Sequence, residues 1–204
     1  MPADTLAASP EAVRGPASQQ AADASEQQIA DLLAFWRDAG AEGLWFEKNE
    51  DFDRRFRQDY EDLHFKAAAR EFDSWMTSPD GALALLILTD QFPRNSFRGT
   101  AHMYATDPLA LHYAREAQRL GYMQQVAPEL RSFFILPFMH SEELGDQDLC
   151  VMLAEDLPEA TRHHAAEHRR IVHLYGRFPH RNAILLREST VEEMAFLEQG
   201  GFSG

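Results

Sequence analysis

Lysine is almost missing from this 204-residue chain: only Lys48 and Lys66 stand among its 19 cations, so the other 17 are arginine. Positive charge of any kind is scarce, since 33 carboxylates set the formal net charge at −14. Phosphate backbones and anionic lipids repel so acidic a surface, and neither nucleic acid nor membrane is an expected partner. Cysteine occurs once, as Cys150 between Leu149 and Val151. A single thiol excludes an internal disulfide and a Cys-based metal framework, and it reads as a buried group in a reducing, cytoplasmic setting. The longest strongly apolar run, residues 82–89, is far shorter than the roughly 20 residues of a membrane span. The amino terminus has no basic start followed by an apolar core, so no secretory signal is expected. Strict alternation of β-branched or aromatic residues is missing, and with it any convincing strand. So are a phosphate-cradling glycine loop, a dinucleotide fingerprint and a Gly-x-Ser-x-Gly elbow. No cofactor is predicted.

What is present is helical spacing. Residues 1–24, built mainly from Ala, Ser, Gln and Pro, carry too few large apolar side chains to offset chain entropy and are expected to be a disordered tail. Residues 25–204 read as one all-helical domain. Ser25 with Gln28 has the form of a capping box, followed by Ile29, Leu32, Leu33 and Trp36 on one face up to Gly40. Asn49 opens a second helix carrying Phe52, Phe56, Tyr60 and Leu63. Residues 82–88 predict a buried helix, which Pro93 is expected to stop. Further helices are expected after Thr106-Asp107-Pro108, after Pro128, over 146–157 and 159–175, and after Ser189-Thr190 with Glu193 as capping partner. Seven to nine helices joined by short turns imply an all-α fold of stacked antiparallel pairs.

One local echo stands out. Phe92-Pro93-Arg94-Asn95 returns, with one residue inserted, as Phe178-Pro179-His180-Arg181-Asn182. Pro ends a helix, Asn tolerates turn geometry and Arg is delivered close to a helix terminus. At these residues the chain resembles a bacterial family known only as a domain of unknown function, through Leu88-Thr89-Asp90-Gln91-Phe92-Pro93-Arg94-Asn95, His140-Ser141-Glu142 and Gly176-Arg177-Phe178-Pro179-His180-Arg181-Asn182. Trp45-Phe46 and Glu188-Ser189-Thr190 are further landmarks, and the likeness spans about residues 26–200. It implies an all-helical superhelix similar to tetratricopeptide-like folds and no established activity. The chain departs from the family's habit at Leu186, where glycine is expected.

The two turns suggest a site. Were they to meet, Arg94, Arg177 and Arg181, with Asn95, Asn182 and His180, would form a fork-rich pocket for a carboxylate or phosphate, with Asp90 and Arg98 beside it. Trp45, in an interhelical connection, is the aromatic candidate to line it. The expected partner is then a small anionic molecule or the acidic end of a peptide. The competing reading has the same arginines paired with Asp90, Glu142 or Glu143 to join helices. A rival function is hydrolytic or acid/base catalysis by His140, Glu142 and His180, where Glu142 would hold an Arg fork. Contiguous His140-Ser141-Glu142 has poor geometry for a triad. His164 and His168 share a helix face at the i, i+4 spacing of many metal sites, but no Glu follows the first His, so they are weak metal candidates. A scaffold for protein partners is the third reading. Oligomeric state leaves no mark on the sequence.

Overall fold

In the computed structural model, residues 16–202 are described, apart from the side chains of 16–19 and 21. Its helices are α1 (Pro16–Ala41), α2 (Glu50–Ala68), α3 (Pro79–Leu86), α4 (Phe92–Ser96), α5 (Asp107–Arg119), α6 (Leu136–Met139), α7 (Leu144–Leu153), α8 (Glu159–Tyr175) and α9 (Val191–Glu198), with 3₁₀ turns between several of them. No strand occurs among the described residues. Helix α3 lies at the centre, packed on α1 and α5, while α2 packs on α4 and α7 on α8. These neighbouring pairs are compatible with the expected tetratricopeptide-like superhelix.

Local sequence explains most boundaries. Asn49 caps α2 by accepting from the Asp51 and Phe52 amides, and Ser78 caps α3 through the Gly81 amide. Thr190 and Glu193 form a complete capping box at α9. Gly176 ends α8 in the left-handed conformation, φ 69°. The start expected at Ser25 is a correction: α1 begins at Pro16, within the segment read as tail, because its Ala and Gln residues are good helix formers. The rest of that segment, 1–15, lies outside the described residues.

Pro93 brings a second correction. It does not stop the buried helix; the chain widens into a π-turn over Ile87–Gln91 and runs on into α4. The Phe92 amide donates to Ile87, five residues back, and Pro93 has no N–H to donate. The carbonyls of Leu88 and Thr89 therefore lose their backbone donors. Both are recovered by side chains, since His64 Nδ1–H donates to Leu88 at 2.8 Å and the Thr106 hydroxyl to Thr89 at 2.5 Å. His64 is thereby fixed as the Nδ1–H tautomer, leaving Nε2 to accept from His102 Nε2–H at 3.0 Å.

The core beneath is aromatic. Trp36, Phe56, Phe92 and Phe133 are essentially fully buried, and Trp36 meets Phe133 edge-on at 5.2 Å. Cys150 is buried as expected, which pushes its thiol up to about 12.

Candidate functional site

Helix α4, the start of α5 and the turn after α8 bring the two Phe-Pro turns onto one carboxylate. Arg94 forks onto Asp107, with Nη1 to Oδ1 at 2.8 Å and Nη2 to Oδ2 at 3.0 Å. Arg181 reaches the same Oδ2 from the other side at 3.4 Å. Asp107 stands in the first turn of α5, where the helix dipole favours negative charge. Arg94 also donates to the Asp90 carbonyl and lies 3.1 Å from Asp90 Oδ1.

The π-turn aims Asp90 into this cluster. Its carboxylate is buried, and it accepts from His140 Nδ1–H at 2.8 Å and from Gln91 at 2.6 Å. Burial opposes its charge, but Arg94 and His140 outweigh that and hold Asp90 well below the usual carboxylate range. His140 is held below its ordinary value by burial and by Arg94, against the pull of Asp90, so its imidazole is neutral at pH 7. With Nδ1 engaged, Nε2 has no hydrogen-bond partner among the described residues, in a side chain that is 15% exposed.

The two arginines differ in how well they are compensated. Burial lowers both, but in Arg94 the carboxylates of Asp90 and Asp107 overcome it and raise the group. In Arg181 burial and the repulsion of Arg94 prevail over Asp107, and the group is lowered. Arg181 is only 7% exposed, its Nε has no partner among the described residues, and Nη2 donates to the His140 carbonyl at 3.0 Å. Its guanidinium lies between the rings of Tyr104 and Phe178, each centroid 4.6 Å away.

The other expected residues flank this centre or leave it. Asn95 and Arg98 both bind Asp53, at 2.8 and 2.7 Å, and tie α4 to α2. Arg177 forks onto Glu193, which also takes Asn182 at 3.1 Å, so this pair anchors α9 and shares no partner with Arg94. Glu142 does hold an Arg fork, that of Arg187, and accepts from the Phe178 amide as well. His180 packs against Phe178 and Phe202 with Nδ1 buried and unpartnered among the described residues; burial, then Arg181, push it down to about 4. Trp45 belongs to the aromatic core: its indole N–H donates to the Trp36 carbonyl at 2.6 Å and its ring abuts Phe133 at 5.0 Å. It is not brought to the cluster, and Gly40 lies against its ring where a Cβ would collide.

His164 and His168, the weak metal candidates, gain no third ligand among the described residues. His168 Nδ1–H donates to the His164 carbonyl, and burial pushes His168 down to about 3. Among the described residues no group of three His, Cys, Asp or Glu side chains is placed to hold a metal ion. No helix there is long and apolar enough to cross a membrane.

Sequence reasoning missed Asp107, Tyr104 and Asp53. Only Asp107 carried a signal, as an acid at a helix start flanked by Thr106 and Pro108.

Comparison with known proteins agrees with these motifs. The family described as "Bacterial protein of unknown function (DUF924)" matches residues 32–201, and the chain belongs to it. It is similar in structure to a protein of unknown function from Agrobacterium tumefaciens, ATU0120, with a TM-score of 0.84 and 51% identity over 86% of this chain and 99% of that one. No curated protein matches the chain.

Proposed function

We propose that this protein is a helical binding module for a small anion, a carboxylate or phosphate that is free or at the acidic end of a peptide, taken where the two Phe-Pro turns meet. The observation that carries this reading is Arg181, a buried cation whose Nε is unpartnered among the described residues and whose one ion pair there, with Asp107, is shared with Arg94 and long at 3.4 Å. An added anion completes a compensation that Asp107 supplies only in part. Arg94, held between Asp90 and Asp107, is the frame; Asn95 and Arg98 on one side, Asn182 and Arg177 on the other, hold the turns in place. No cofactor enters this reading, and the setting it fits is the cytoplasm.

Thermal unfolding in the presence of inorganic phosphate, acetate or succinate tests it. At a hundredfold excess over Kd a bound anion adds about 2.7 kcal/mol, or roughly 5–10 °C in Tm for a chain of this size. That shift is expected in the unsubstituted protein and in Arg119→Ala, which removes an exposed guanidinium paired with Glu116. It is expected to vanish in Arg181→Ala and to shrink in Arg181→Lys. Equal shifts in all variants, or none in any, refute the reading.

A further inference from the structure

We infer that Asp90 and His140 form an acid/base dyad and that the site hydrolyses esters carrying a negative charge, with His140 Nε2 taking the proton of the attacking water and Arg181 holding the substrate's anionic end. The substrate class, though not the dyad, rests on the anion reading of Arg181.

Four relationships in the structure converge on this. The imidazole is held through Nδ1 by a carboxylate at 2.8 Å, the arrangement that orients a general base and stabilises the imidazolium formed when it accepts a proton. That carboxylate is itself fixed by Arg94 and Gln91, so it is not free to turn to another partner. Nε2 has no hydrogen-bond partner among the described residues, and the side chain keeps 15% exposure through which a water can reach it. Finally, Arg181 donates to the carbonyl of His140 itself at 3.0 Å, which joins the anion anchor to the base within one residue. Ser141 is not the nucleophile, because its hydroxyl donates to Asp146 at 2.7 Å. Water is left as the attacking group. Its oxygen adds to the ester carbonyl carbon as one of its protons passes to Nε2; the carbonyl carbon–alkoxy bond then breaks, and the leaving oxygen carries away the electron pair and recovers the proton from Nε2. Ester and water become carboxylic acid and alcohol, with no co-reactant. The groups facing the imidazole are Asp90 and Arg94, Asp107 from α5, His168 from α8, and His180 from the turn after it.

The test compares hydrolysis of 4-acetoxy-3-nitrobenzoate, an anionic ester, with that of neutral o-nitrophenyl acetate by the full chain and four variants. His140→Gln and Asp90→Asn are expected to lower kcat about 100-fold, with KM in Asp90→Asn little changed, since Asp90 positions the base without touching substrate. Arg181→Lys is expected to raise KM for the anionic ester alone, and Arg119→Ala to change nothing. Background rates in the unsubstituted protein, or an undiminished rate in folded His140→Gln, overturn the dyad whatever anions do to Tm. Hydrolysis that depends on His140 but treats both esters alike supports the dyad and overturns the anion anchor. Diethyl pyrocarbonate labelling of the unsubstituted chain, mapped by peptide mass, needs no variant to fold: His140 is expected to react at Nε2 ahead of His64, and an inert His140 overturns the proposal.

Discussion

The Thr106 hydroxyl stands 2.5 Å from the carbonyl of Thr89, the acceptor that Pro93 leaves without a backbone donor. The contact joins the start of α5 to the π-turn and so sets Asp107 against Arg94. Thr106→Val, close in shape but without the donor, strands a buried carbonyl and is expected to cost about 1–3 kcal/mol. Thr106→Ser retains the hydroxyl and is expected to cost less. Urea unfolding midpoints at constant m-value give the comparison.

Asp107 compensates two buried arginines at once, so removing its charge exposes both. Asp107→Asn is expected to destabilise by about 3–5 kcal/mol, the range for breaking a buried ion pair. Under the anion reading, phosphate is expected to restore more Tm in this variant than in the unsubstituted chain, because it replaces the missing carboxylate. A phosphate response no larger than that of the parent speaks against Arg181 as an anion site.

Four histidines are held neutral by burial: His64 and His140 below their ordinary value of 6.5, His180 near 4 and His168 near 3. Their folded values lie below the unfolded one, so the unfolded chain binds more protons in that window and stability falls as pH drops below about 6.5. Asp90, Glu142 and Glu193 are lowered carboxylates, and their loss begins only nearer pH 4. A fall in Tm on the order of 10 °C is expected between pH 7 and 5, read by circular dichroism. His168→Gln removes one of the groups responsible and is expected to flatten the slope.

Leu186 holds φ at 54° with its side chain 94% exposed. A left-handed residue with a Cβ costs roughly 1–2 kcal/mol, and no packing offsets it here. Leu186→Gly is expected to stabilise by about 1 kcal/mol after glycine's own entropy cost is deducted, which a 2–4 °C rise in Tm would register. The left-handed conformation at this position is one that glycine adopts without strain.

Helix periodicity, caps and terminators were legible because they act between residues close in the chain. Asn49 and the Thr190 capping box are sites of that kind. Pro93 was misread for the converse reason: a proline stops a helix only if no distant donor rescues the carbonyls it orphans. His64 and Thr106 supply those donors from 24 and 17 residues away.

By itself, the sequence determined an all-helical chain, the two Phe-Pro turns and the anomaly of five arginines beside a single acid in an otherwise acidic protein. Local hydrogen bonding and apolar spacing suffice for that much. The tertiary structure alone decided which arginine meets which carboxylate. Asp53, Asp107 and Glu193 lie 42, 13 and 16 residues from Asn95, Arg94 and Arg177 respectively, and no local pattern encodes such pairings. Packing sorted one motif into three destinations: Arg98 and Asn95 to α2, Arg177 and Asn182 to α9, and Arg94 with Arg181 to the carboxylate they share. Because a buried charge must find its partner wherever the folded chain supplies one, the role of each arginine was settled by three-dimensional neighbourhood.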